Sequence, residues 1–216
     1  MAKKSLSPTD RALLDAAQRG DVAAVREALA AGADREARDE EGRTPLLRAA
    51  LADEVAVARV LVDAGADVNA QDDRLDSAWL VTGVTGSVAM MRALLPGGPD
   101  VTVTNRFGGV SVIPASERGH VSYVRAVLAE TDIDVDHVNR LGWTALLEAV
   151  ILGDGGRTHQ EVVEVLLAAG ADPLLPDADG TTARTHAERR GFRGIAAVLR
   201  EAEDRAGTGQ AERRQP

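Results

Sequence analysis

The stretch ILGDGGRTHQE, residues 151 to 161, sets glycines beside Asp154, Arg157, Thr158, His159 and Glu161. These are the residue types of a phosphate cradle or a metal site. A phosphate-binding loop needs a Lys after its last glycine. A dinucleotide fingerprint needs a glycine where Thr158 stands, with a strand before it. Neither requirement is met. His159 and Glu161 are two residues apart, whereas ligands that share a helix face lie three or four apart. A second stretch, TDIDVDH, places Asp132, Asp134 and Asp136 like the start of a calcium loop. His137 occupies the place of that loop's glycine and Trp143 the place of its closing Glu. His120, His137 and His186 fall in different parts of the chain, and no Ser, Asp and His grouping is suggested. No catalytic centre, metal site or cofactor is expected.

The elements that carry these residues follow from composition and pattern. The chain has 216 residues, 44% hydrophobic and only 2% aromatic, so its core must be built from Ala, Val and Leu, which suit closely spaced helices. A net charge of −9 with no basic stripe argues against nucleic acid. With no cysteine, disulfides and thiolate sites are excluded. No run approaches the ~18 apolar residues of a membrane span or the core of a secretory signal. A cytoplasmic protein without a membrane partner is expected.

Gly32, Gly65 and Gly98 stand 33 residues apart, in GADREARD, GADVNAQD and GPDVTVTN, and GADPLLPD repeats the theme from Gly170. Such a period means stacked units, each burying its apolar face against its neighbours. Within one period, Thr44 before Pro45 reads as an N-cap and first helical residue. Gly65 closes a second helix, VAVARVLVDAG. The unit is turn, helix, turn, helix.

In this register the chain resembles the ankyrin-repeat family, whose pattern runs roughly D-x-x-G-x-T-P-L-H-x-A-A, then G, then V-V-x-L-L-L-x-x-G-A-D-V-N. Asp39 to Asn69 match most of it, with Leu47 in place of the usual His. The resemblance implies an all-α solenoid of helix-turn-helix units with hairpin-like turns, about six repeats over 9–203, at approximately 9–38, 39–71, 72–104, 105–138, 139–176 and 177–203. Repeat three is worn, with Leu75 for the turn glycine and SAWL for TPLH. Repeat four reads VSVI, repeat five GWTALLEA and repeat six GTTARTHA. Residues 1–8 and 204–216 are expected to be disordered. Arg, Ala and Gly abound while lysine occurs only at Lys3 and Lys4, a bias of GC-rich bacterial genomes.

Placed in this register, Gly153 joins two helices, about five residues are inserted after it, Thr158 caps the second helix and Glu161 lies in its first turn. Deleting the insertion is expected to leave the array folded. The family resemblance further implies a continuous concave groove of turn tips and first-helix ends. Repeat two supplies Glu40, Glu41, Arg43, Leu51 and Ala52, and repeat three Asp73, Arg74, Asp76, Val84 and Thr85. Repeat four supplies Arg106, Phe107, Gly109, Glu117 and Arg118, and repeat five Arg140, Leu141, Trp143, Ile151 and Leu152. Apolar residues gather in the later repeats, with Trp143, Phe107 and Leu141 as anchors flanked by Arg106 and Arg140. Trp143 either anchors a partner or packs on Phe107 to brace the stack. Trp79 stands at a core position.

The implied function is non-catalytic binding of another protein, by a monomer. Two alternatives stand beside it: a small-molecule or metal binder using Asp154, Arg157 and His159 in the 153–159 turn, and a scaffold that self-associates through repeat three.

Overall fold

The structure, a computed structural model, describes residues 6–212. Among these there are twelve α-helices, one short 3-10 turn and no strand, with a single isolated bridge between Pro176 and Thr182. The chain divides into two compact units, residues 1–106 and 107–216.

The first unit holds three helix pairs: α1 (Pro8–Arg19) with α2 (Val22–Ala30), α3 (Pro45–Leu51) with α4 (Val55–Asp63), and α5 (Ala78–Thr85) with α6 (Val88–Leu94). Hydroxyls start the first helix of each pair. Ser7 and Asp10 form a capping box at α1, and the Thr44 and Ser77 side chains accept from Leu47 N and Leu80 N, both at 3.2 Å. Each such cap contributes about 1 kcal/mol. Ser7 and Pro8 therefore belong to the fold rather than to a disordered lead. Residues 1–5 lie outside the described residues. The core runs through Leu13, Leu14, Leu46, Leu47, Leu61, Met90 and Leu94, all fully buried, and Trp79 joins it at 1% exposure.

The second unit repeats the arrangement with α7 (Val112–Glu117) and α8 (Val121–Glu130), α9 (Ala145–Ile151) and α10 (Arg157–Ala168), and α11 (Ala183–Arg189) and α12 (Arg193–Glu212). Thr144 and Thr182 cap α9 and α11 through Leu147 N and Thr185 N. Repeat four departs from this scheme. Val110 stands where the other repeats put the capping hydroxyl, so α7 starts one residue late, and Ser111 caps nothing with its side chain. Helix α12 differs from expectation too: it runs on to Glu212, through residues read as a disordered tail. It runs without a proline to stop it, although Gly207 and Gly209 each cost about 1 kcal/mol in a helix. Residues 213–216 lie outside the described residues.

The worn turn of repeat three keeps its conformation at a cost. Leu75 takes φ 62°, a left-handed position that Gly42 fills in repeat two, and its side chain is 40% exposed. Leu75→Gly should relieve about 1–2 kcal/mol of backbone strain. Part of this is offset by the greater freedom of glycine in the unfolded chain. The variant is expected to be about 0.5–1 kcal/mol more stable in a urea titration. A less stable variant would contradict this reading.

Candidate functional site

Four of the turn tips are each held by one Asx side chain at the first position. In unit 1 the Asp39 carboxylate accepts from Glu41 N at 3.0 Å and Arg43 N at 2.8 Å, and Asp72 accepts from Arg74 N at 2.8 Å and Asp76 N at 2.9 Å. In unit 2 Asn139 Oδ1 accepts from Leu141 N at 2.9 Å and Trp143 N at 3.1 Å, and Asp177 accepts from Asp179 N and Thr181 N. Backbone bonds fasten successive tips: Asp73 N donates to Glu41 O at 3.0 Å and Arg140 N to Phe107 O at 2.9 Å. The geometry repeats because the Asx side chain does locally what a tight turn demands. What varies is the chemistry at the third and fifth positions.

In unit 1 that chemistry is ionic. Arg43 lies 3.7 Å from Asp72 and Arg106 lies 3.6 Å from Asp76, while Glu41 and Arg74 are exposed at the tips. Burial and then the neighbouring Asp72 push the Asp76 carboxyl up, and Arg106 opposes them. The arginine expected to flank Phe107 is thus paired with repeat three.

In unit 2 the tips of repeats four and five are apolar. Phe107 is 51% exposed and Leu141 52%, at equivalent positions of consecutive turns, with Arg140 exposed beside them. Trp143 is only half-buried rather than fully displayed, and Ile151 likewise, while Leu152 is exposed at the end of α9.

Glu148 was not among the expected residues. It sits in the middle of α9, 6% exposed, and accepts from Asn139 Nδ2 at 2.8 Å. Burial first, then the Glu117 carboxylate, raises its pKa from 4.5 to about 7, against the Asn139 hydrogen bond. The signal was present in the register. The same helix position carries Arg48 in repeat two, 3.8 Å from Asp39, and His186 in repeat six, 2.6 Å from Asp177. There a cation faces the turn aspartate. In repeat five both partners change together, Asn for Asp and Glu for the cation, which preserves the hydrogen bond and inverts the charge.

The insertion is a helix extension as much as a turn. Three residues, 52–54, join α3 to α4, whereas five, 152–156, join α9 to α10, and α10 has 12 residues against 9 in α4. Gly156 is the N-cap of α10, so Thr158 lies within the helix and caps nothing, and Glu161 lies beyond the first turn. The left-handed joint is Gly155, φ 72°, rather than Gly153. A Cβ on Gly155 would collide with the Phe192 ring, and one on Gly153 with Ala149 O and the His159 ring.

His159 explains this. It is 9% exposed, with Nδ1 2.8 Å from Asp154 Oδ1 and Nε2 2.9 Å from Glu117 O. The hydrogen bond from Gly156 N, then that from His159, lowers the Asp154 pKa. Asp154 and His159 do meet, as the small-molecule reading requires, but both ring nitrogens are engaged within the fold. Arg157 points elsewhere, to a cleft shared with Arg125 and Glu161, which pair at 3.3 Å.

The other acidic stretch is equally structural. Asp134 accepts from Asp136 N at 3.0 Å, and Asp136 accepts from Asp172 N of the next repeat at 3.0 Å. Among the described residues no group of three or more His, Cys, Asp or Glu is placed to hold a metal ion, and no helix is long and apolar enough to cross a membrane.

Comparison with known proteins agrees with this architecture. The family model for ankyrin repeats, in three copies, matches residues 3–72 and 80–177. The crystal structure of an ankyrin repeat domain from Acinetobacter baumannii AYE superposes with a TM-score of 0.84 at 46% identity, over 88% of this chain and 97% of that one. The ankyrin repeat domain of Bcl-3, described as a unique member of the IkappaB protein family, superposes with a TM-score of 0.79 at 26% identity, over 88% of this chain and 85% of that one. A putative ankyrin repeat protein, YahD, of Escherichia coli K12 is 50% identical over 94 residues, which is 44% of this chain and 47% of YahD. The match thus spans about half the length of that relative.

Proposed function

Given that the chain belongs to the ankyrin-repeat family, whose members are generally protein–protein interaction modules, we propose that it is a non-catalytic module that binds another protein through the turn tips and first-helix face of unit 2. The observation that carries this reading is the pair of half-exposed side chains, Phe107 and Leu141, set at equivalent places on consecutive tips and tied together by the Arg140 N to Phe107 O hydrogen bond. Large apolar side chains that stay half exposed, adjacent on a rigid frame, are the usual centre of an interface. Trp143, half-buried behind Leu141, supports the tip as well as extending it, and Arg140 supplies a charged rim. The acid-and-arginine pairs of unit 1, Arg43 with Asp72 and Arg106 with Asp76, tie successive turns together, with Glu41 and Arg74 at the periphery of recognition.

The test is capture with the wild-type chain and with Phe107→Ser/Leu141→Ser, followed by mass spectrometry and a measured affinity for whatever the wild type retains. The double variant is expected to bind at least roughly 30-fold more weakly, about 2 kcal/mol, with its thermal midpoint nearly unchanged. Equal capture by both proteins would refute the site.

A further inference from the structure

We infer that the partner presents a basic side chain, an arginine or lysine beside an apolar anchor, and that its charge lies on the Glu148 carboxylate while the anchor covers Phe107 and Leu141. This rests on the docking site proposed above.

Three observations lead to it. Glu148 is joined to the apolar tip through one residue: Asn139 donates to it through Nδ2 at 2.8 Å and holds Leu141 N and Trp143 N through Oδ1 at 2.9 and 3.1 Å. Asn139 thus couples the backbone of the Leu141 tip to the Glu148 carboxylate. Repeats two and six balance the charge at this register internally, Arg48 against Asp39 and His186 against Asp177, whereas repeat five places an acid against a neutral Asn. The acid is uncompensated. Finally, among the described residues no cation is paired with Glu148, and several of those around α9 face elsewhere. On α10, His159 faces Asp154 and Glu117 O. At the end of α11, Arg190 donates to Val150 O at 2.8 Å and to Ile151 O, and lies 4.5 Å from the Phe192 ring centroid. His186 on α11 faces Asp177, and the α7 group that acts on Glu148 is another acid, Glu117. A partner can supply the compensating charge.

A carboxyl that is 6% exposed, beside a second acid, and raised to about 7 gains most from such a cation. Binding then displaces the proton that Glu148 holds below neutrality, so affinity rises with pH through that range.

The probe is a displayed library of random twelve-residue peptides, selected in parallel on the wild type and on Glu148→Gln. Wild-type winners are expected to carry Arg or Lys next to Leu, Ile or Phe. Winners on the variant should keep the apolar residue and lose the basic preference. A wild-type winner, made synthetically, should bind roughly tenfold more tightly at pH 8 than at pH 6 and, in calorimetry at pH 6 in two buffers, release close to one proton, with none released from the variant. Absence of basic enrichment on the wild type, its persistence on Glu148→Gln, or no proton release from the wild type would overturn the inference. Failure of the docking site itself is distinguishable: wild-type winners would then bind Phe107→Ser/Leu141→Ser undiminished.

Discussion

Glu148→Gln is expected to stabilise the protein by roughly 2 kcal/mol at pH 8 and to remove part of its pH dependence. Burial and Glu117 raise the Glu148 pKa from 4.5 to about 7, so across that window the folded chain holds a proton that the unfolded chain has released. Stability from this group is complete below about pH 4.5, declines as pH rises towards 7 and is lost above it. The full difference in pKa corresponds to about 3 kcal/mol, and relaxation around the buried charge lowers the gain to roughly 2. Glutamine keeps an oxygen for Asn139 Nδ2 and removes the charge. The carboxyls of Glu36, Asp76 and Asp136 are also raised, chiefly by burial, and tilt both proteins in the same direction, so the difference between variant and wild type isolates Glu148. Urea titrations at pH 5, 6, 7 and 8 provide the check. Parallel curves with no gain at pH 8 would show that the carboxylate is not disfavoured by its surroundings.

His159→Ala is expected to destabilise the chain by roughly 2–3 kcal/mol, a far larger effect than a surface histidine could have. The ring fills a buried place against Gly153 and bridges Asp154 and the last residue of α7 through contacts of 2.8 and 2.9 Å. Its removal leaves a void and an acceptor without its donor. Deleting residues 154–158 should cost as much or more, because it takes away the turn that seats His159. This reverses the expectation from sequence that the insertion is dispensable. Chemical denaturation of both variants decides the matter, and a loss under about 0.5 kcal/mol for His159→Ala would show that the ring merely rests there.

Most of the fold could be read from spacing, since the 33-residue interval, the hydroxyl before most first helices and the glycine after most second helices are local signals with local causes. Trp79 fell in the core because its register is that of a core leucine. The readings that failed depended on tertiary contacts. Alignment alone placed the joint at Gly153, but the point where α10 begins is set by His159 entering a buried site against α7, and this moves the left-handed residue to Gly155. The extension of α12 to Glu212 crosses Gly207 and Gly209 in a stretch with little apolar periodicity, so neither pattern nor propensity signals it.

The candidate surface was legible in part for the same reason. Phe107 and Leu141 are exposed because their turn positions face outward in every repeat. Trp143, two positions later, turns partly inward, and Arg106 is drawn to Asp76. Glu148 escaped notice because a glutamate on a helix is ordinarily a solvated residue. Only its place opposite Asn139, where other repeats pair a cation with an aspartate, marks it out.

The account stands or falls on where a partner sits. Amide hydrogen exchange of the chain, alone and saturated with a captured partner, measures this directly. Added protection is expected on the turns 105–109 and 139–143 and along α9, with α8 and α10 unchanged on their outer sides. Protection confined to α8 and α10, with the Phe107 and Leu141 turns exchanging as in the free chain, would contradict it.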